Sequence, residues 1–210
     1  EVAKFAVGHL IAELRQKYHE LPAVIAYLDA VEKDVVENVD DFRKKEEEAP
    51  PPLTGIPLPR SLLGPAPFRR YQVNVLVDRS ETKGAPVVYQ DNPTYQNLLG
   101  RIEHIMAQMG VVMTDFSLIK GGSLQQANGG YLILDAHKLL SQPFVWEALK
   151  RALRAQEIVI ESPGQQLGLV NIIALEPEPI TLNIKIVLLG DRMLYHLLSE
   201  YDPDFNELFK

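Results

Sequence analysis

The chain has 210 residues with 46% hydrophobic and 23% charged content, an ordinary balance for one large globular domain or a domain with an appendage. Its formal net charge of −7 argues against nucleic acid as a partner, since a polyanion would find no general attraction. The absence of cysteine excludes disulfides, zinc–thiolate centres and a cysteine nucleophile, and fits a reducing, cytoplasmic compartment.

Residues 1–48 read as helix. Val2, Phe5, Leu10, Leu14, Tyr18 and Leu21 recur at roughly helical spacing. Pro22 then opens a second helix, where its missing N–H is harmless. There Val24, Leu28, Val31, Val35, Asn38 and Phe42 follow a coiled-coil-like seam with one polar member. With 12 acidic and 7 basic residues, this segment is expected to be a solvated helical pair, or an arm that touches clients or neighbouring subunits. Residues 49–68, "APPPLTGIPLPRSLLGPAPF", contain seven prolines and predict an extended connector at a domain boundary.

From residue 69 the pattern alternates. "YQVNVLVD" (71–78) predicts a strand, "PTYQNLLGRIEHIMAQMG" (93–110) a helix and "GGYLILD" (129–135) a strand. "PFVWEALKRALRAQE" (143–157) predicts an amphipathic helix, "IVIE" and "LVNIIALE" a hairpin, and "LNIKIVLLGD" (182–191) a strand followed by a helix from Met193. Apolar strands alternating with helices predict a parallel sheet covered on both faces. In such sheets chemistry gathers at the carboxyl ends of strands, where Asp78, Asp135 and Asp191 are expected.

Taken singly, an aspartate at a strand end more commonly caps a turn than binds a metal. His104 and His137 lack metal-ligand spacing, and Glu161, Glu176 and Glu178 read as rim residues. No G-x-S-x-G occurs, and no G-x-x-x-x-G-K-[ST] to cradle phosphates. No apolar run is long enough to span a bilayer, and no signal pattern opens the chain. Its first residue is Glu1, so it is expected to belong to something longer.

"GGSLQQANGGYLILDAHKLL", "WEALKRALRAQEIVIE" and "PITLNIKIVLLGDR" together resemble the middle of an AAA+ module. The wording is similar to the Lon-like protease family, in the branch whose AAA+ module carries a long helical (coiled-coil) insertion; "YQVNVLVDRS", "DNPTYQNLLGRIEH", "LEPEPI", "YDPDFNELFK" and "LPAVIAYLDAVEKDVVENVDDF" fit it too. The resemblance implies an α/β fold: a partial AAA+ (P-loop-type) parallel sheet with flanking helices over 69–210, a linker at 49–68, and an N-terminal helical insertion arm over 1–48.

It also implies roles for particular residues. Asp135 falls on the Walker B aspartate, which would help hold Mg beside ATP through water. Ala136 stands where most AAA+ ATPases carry the catalytic glutamate, so hydrolysis is expected to be weakened or lost. Asp191 falls at the sensor-1 position, usually asparagine, where a carboxylate repels a γ-phosphate. Met113 and Phe116 would grip unfolded polypeptide in a translocation loop. The Walker A segment is expected upstream of residue 1, and the Ser–Lys dyad of the serine protease downstream of residue 210.

The implied whole is a cytoplasmic, hexameric, ATP-dependent protease for unfolded or damaged proteins. This chain alone would not hydrolyse peptides; it would supply client contact, a wall of the nucleotide pocket and hexamer interfaces. Two alternatives stay open: a working ATPase half-site whose missing acid comes from elsewhere, and a pure capture and assembly module.

Overall fold

The computed structural model describes residues 2–43, 68–106, 112–161 and 175–209. Most of the proline-rich segment, Val111 and the first part of "LVNIIALE" lie outside the described residues. The chain forms two compact units, Glu1–Val73 and Asn74–Lys210.

The first unit is a helical pair. Helix α1 spans Val2–Lys17 and α2 spans Pro22–Glu37, with Pro22 at the first turn as its φ preference dictates. The turn at 18–21 folds α2 back on α1, and Ile11, Leu28 and Val35 are buried between them. Val24 and Val31 of the expected seam are half-buried. Asn38 ends the helix rather than continuing the seam: its Nδ2 donates to Asp34 O (3.0 Å) and Asp34 Oδ1 (2.9 Å). A short helix α3, Val39–Arg43, follows. The chain is back against this pair at Phe68, whose ring meets Phe42 edge-on with centroids 5.1 Å apart. A single 3₁₀ turn at Arg69–Tyr71 completes the unit. Tyr71 Oη donates to Asp34 Oδ2 (2.5 Å), and Arg70 Nε lies 2.7 Å from the same oxygen.

The second unit is α/β. Strands β1 (Val87–Gln90), β6 (Tyr131–Asp135) and β9 (Lys185–Leu189) form a parallel sheet in the order β1-β6-β9. The expected parallel core is therefore present, with β6 at its centre. The register sets Leu132 and Leu134 of β6 beside Val88 and Gln90 on one side and Ile186 and Leu188 on the other. Leu132 and Leu134 are fully buried. Period-2 alternation sends one face of β6 into the core. That face packs on Leu98, Leu99, Leu124, Leu139, Val145 and Leu149 from the helices.

The opposite face departs from the expectation of two covered faces. Val87, Tyr89, Tyr131, Val187 and Leu189 are exposed there, because the described helices pack on the other side.

Between β1 and β6 the expected long helix over 93–110 is not formed. Helix α4 is only Tyr95–Leu99, started by Thr94, whose hydroxyl accepts from Asn97 N. Gly100 then takes φ 95, a conformation that costs side-chain-bearing residues strain. From there β2 (Arg101–Ile102), β3 (Ile105–Met106), β4 (Val112–Met113) and β5 (Ile119–Lys120) make a hairpin, β2 pairing with β5 and β3 with β4, all antiparallel. Its base is closed by two glycines: a Cβ on Gly122 would lie 2.5 Å from Gly100 N. Helix α5, Ser123–Ala127, follows at once, and its Gln125 side chain accepts from Gly122 N and donates to Leu99 O, 2.8 Å each.

The strand expected over 71–78 is also absent. That stretch is extended but carries no ladder, and Val73 and Val75 face solvent. After β6 come α6 (Ala136–Leu140) and α7 (Val145–Ala155), which buries Val145, Ala148, Leu149 and Ala152 as its pattern requires. β7 (Glu157–Ile158) pairs antiparallel with β8 (Ile180–Thr181), while most of "LVNIIALE", the expected hairpin partner, lies outside the described residues. Helices α8 (Arg192–Tyr201) and α9 (Phe205–Leu208) close the described chain.

Candidate functional site

Three parallel strands deliver three aspartates to one rim. Asp91 follows β1, Asp135 ends β6 and Asp191 lies two residues beyond β9. Strand-end carboxylates recur in such sheets because the chain must turn there, and each turn leaves backbone N–H groups to be satisfied. Asp135 caps α6: its Oδ1 accepts from Lys138 N at 2.9 Å. Asp191 caps α8 in the same way, its Oδ1 accepting from Leu194 N at 2.9 Å.

Side chains of α6 tie the rim together. Lys138 Nζ reaches Asp91 Oδ1 at 2.5 Å, and His137 Nε2 lies 2.5 Å from Asp191 Oδ2. The Lys138 hydrogen bond and charge hold the Asp91 carboxyl below the usual carboxylate range. Asp191 is lowered too, first by the Leu194 N–H and then by His137. Asp91 in turn raises Lys138. All of these groups except the half-buried Asp135 are well exposed, so salt screens their attraction.

Asp135 and Asp191 thus stand where the sequence places them. Asp78 does not reach the rim. It closes a local turn, its Oδ1 accepting from Ser80 N at 2.9 Å, because the 71–78 strand that would have carried it does not form. Asp91 takes the third place. The sequence signal for it was "PVVYQDNP", a β-rich run of four residues between prolines. His137, unremarkable as a metal ligand, is instead the partner of Asp191.

Ala136, the first residue of α6, is 4% exposed. Together with Leu188, Gly190, Asp191, Leu194 and Phe205 it lines a cavity of about 410 Å³ beside the rim. Among the described residues no three histidine or acidic side chains converge on a point. A magnesium ion needs less: it keeps most of its waters and takes one or two carboxylates plus phosphate oxygens. One oxygen of Asp135 is occupied by its cap, and the carboxylate fits that looser role.

Of the two residues expected to hold polypeptide, Met113 lies on β4 opposite Ile105. Phe116 opens the 3₁₀ turn Phe116–Leu118 between β4 and β5 and is half-buried, at the hairpin's return rather than at its tip.

Residues 83–210 match a family model described as LonB-like, AAA domain. No curated protein matches the chain. Solved structures similar to it include a crystal structure of NtrX from Brucella abortus, at 17% identity and a TM-score of 0.37, covering 60% of this chain and 25% of that one. The chain therefore spans a quarter of the length of that solved relative.

Proposed function

Because the chain belongs to the LonB-like AAA domain family, we propose that it is part of a Lon-like protease that degrades unfolded or damaged proteins, with its ATPase function weakened or lost. In that reading this stretch contributes client contact, one wall of the nucleotide pocket and hexamer interfaces, and the peptide bond is cut elsewhere. The helical pair is the coiled-coil insertion arm, and the protein works in the cytoplasm. Among the described residues no helix is long and apolar enough to cross a membrane.

One observation carries the nucleotide part. Asp135 ends the central strand, as a Walker B aspartate does, and is followed by the buried methyl of Ala136 instead of an acid. Hydrolysis by positioned water needs a general base or an orienting carboxylate within hydrogen-bond reach. Asp135 would assist Mg, leaving position 136 unable to activate water. Bound ATP would supply the phosphates and Mg the positive charge. The chain has no glycine-rich phosphate loop, so those contacts come from other residues. Asp191, at the sensor-1 position, would keep a γ-phosphate at a distance unless His137 or Mg offsets its charge.

A second reading, a working half-site, draws on Asp91 and Asp191, which supply carboxylates at the strand ends on either side of Asp135. ATP turnover by the full-length protein with Mg, in which other residues can supply the phosphate contacts, distinguishes the two. No turnover above background is expected. Turnover abolished by Asp135→Asn would overturn the first reading in favour of the second.

Client contact is assigned to Met113 and Phe116 because apolar side chains grip unfolded chain without needing sequence. In the full-length protease, Phe116→Ala should reduce degradation of an unfolded protein while sparing cleavage of a short peptide and the melting temperature. A drop in melting temperature with both activities falling together would make Phe116 a packing residue and end the assignment.

A further inference from the structure

Within the α/β unit, residues 74–79 carry no ladder, yet they are fastened along 116–126. The half-buried Asn74 makes the most specific of these contacts. Its Nδ2 donates to Phe116 O and to Ile119 O, at 2.9 Å each, so both hydrogens of one amide nitrogen are used. The two carbonyls bracket the 3₁₀ turn that Phe116 opens, and Ile119 N closes the same turn by donating to Phe116 O. Phe116 O therefore accepts twice, once from the backbone and once from Asn74. Farther along, a Cβ on Gly121 would lie 3.2 Å from Leu76 O. Arg79 Nη2 donates to Gln125 O (2.9 Å) and Gln126 O (3.2 Å) at the end of α5.

A peptide unit is planar, so holding its carbonyl holds the whole plane. Asn74 holds the plane that leaves Phe116 toward Ser117. The plane before Phe116 is held too, since Asp115 O accepts from Leu118 N at 2.9 Å. With both flanking planes held, the Cα–Cβ bond of Phe116 has one direction. The turn's own hydrogen bonds have the poorer geometry of a 3₁₀ helix, so the outside donor matters for keeping it closed. The residue type is as specific as the contact. Aspartate has the same size but only accepts, and would set a carboxylate against two carbonyl oxygens.

We propose that Asn74 is a positioning residue for client contact: its amide holds the turn that presents Phe116 to unfolded polypeptide. The proposal rests on the assignment of client contact to Phe116. Asn74 acts through that ring rather than on the client.

The test is made in the full-length protease. Degradation of an unfolded protein, cleavage of a short peptide, melting temperature and amide exchange at 114–120 are read on each variant. Asn74→Asp turns two attractions into repulsions. It should raise KM for the unfolded protein to the level of Phe116→Ala, with kcat, peptide cleavage and melting temperature unchanged. Asn74→Asp/Phe116→Ala should be no worse than Phe116→Ala alone. Asn74→Ala removes the donors without adding charge. It should raise exchange at 114–120 roughly fivefold, the response to losing about one net hydrogen bond from a local opening equilibrium, while exchange in α7 stays parental. A parental KM in Asn74→Asp beside an impaired Phe116→Ala overturns the proposal and leaves the client assignment standing. So do losses that simply multiply in the double variant. A parental Phe116→Ala overturns both. If Asn74→Asp melts early, Asn74→Ala decides: raised exchange at 114–120 with peptide cleavage kept supports the proposal, and parental exchange overturns it.

Discussion

Lys150→Met is the most informative single change to the core unit. Lys150 is 5% exposed, an uncommon place for an ammonium group. Its Nζ lies 2.9 Å from Glu147 Oε1, 3.0 Å from Asp202 Oδ2 and 3.2 Å from Asp204 Oδ2, above the ring of Trp146. Methionine keeps the stem and deletes the charge. At an effective dielectric of about 20 the 3.0 Å contact alone is a gross attraction of roughly 5 kcal/mol, much of it offset by the lysine's own desolvation. Asp202 keeps Trp146 Nε1 (2.6 Å) and Asp204 N (3.0 Å), and Asp204 keeps Arg154, so the carboxylates are not stranded. The net loss is then about 2–3 kcal/mol, below the upper end for breaking a buried pair. For a unit of this size that is a fall in melting temperature of roughly 8 °C. Trp146 is the chain's only tryptophan and sits in the network, so its fluorescence reports this transition. Burial pushes the Asp202 carboxyl up, but the Trp146 N–H and Lys150 outweigh it and hold the group below the usual range. A lowered carboxylate stabilises the fold above its unfolded value, near pH 4, and loses that contribution as pH falls through the folded value. The difference between parent and variant should therefore shrink below about pH 4. Lys150→Met/Asp202→Asn should melt above Lys150→Met, since the asparagine carries no charge to be held there without the lysine and Trp146 keeps an acceptor. A single variant melting within about 2 °C of the parent, or a double variant with strictly additive losses, would refute this account.

Gly130→Ala should disrupt the sheet, because a Cβ at that position would lie 2.0 Å from Pro86 O; the expected loss, read from urea unfolding of Trp146, is about 3 kcal/mol or more. Leu28→Ala removes a buried anchor of the helical pair and should cost about 2–3 kcal/mol, seen as earlier loss of helical circular dichroism. His137→Ala should move the titration of Asp191, followed by carboxyl NMR, up toward the ordinary range; part of the shift should persist, because the Leu194 N–H remains. An unmoved titration would mean that the His137 contact does not form in solution.

The elements legible in the sequence are those whose signal is local. Pro22 marks the start of α2, the apolar run of β6 and the amphipathic α7 are self-evident, and β9 falls inside its predicted range. What was missed depends on distant partners. Ile102, Ile105 and Met106 fit a helical period as well as strands, and only the close approach of Gly100 and Gly122 decides for the hairpin. β1 is four residues long and exists because β6 offers it a parallel edge. At the rim, Asp135 and Asp191 could be placed from their strands. Asp91 could not, and neither could the Lys138 and His137 contacts, since spacing along the chain says nothing about which strand ends become neighbours.

The contact of Phe42 with Phe68 joins two points of the chain that lie 26 positions apart in the sequence. Phe42 also meets the ring of Tyr71, with centroids 5.8 Å apart, so one aromatic side chain at the end of the helical pair serves two later residues at once. Losing that ring would therefore be felt beyond its own helix, at the Tyr71 hydroxyl and the Asp34 carboxylate that accepts from it.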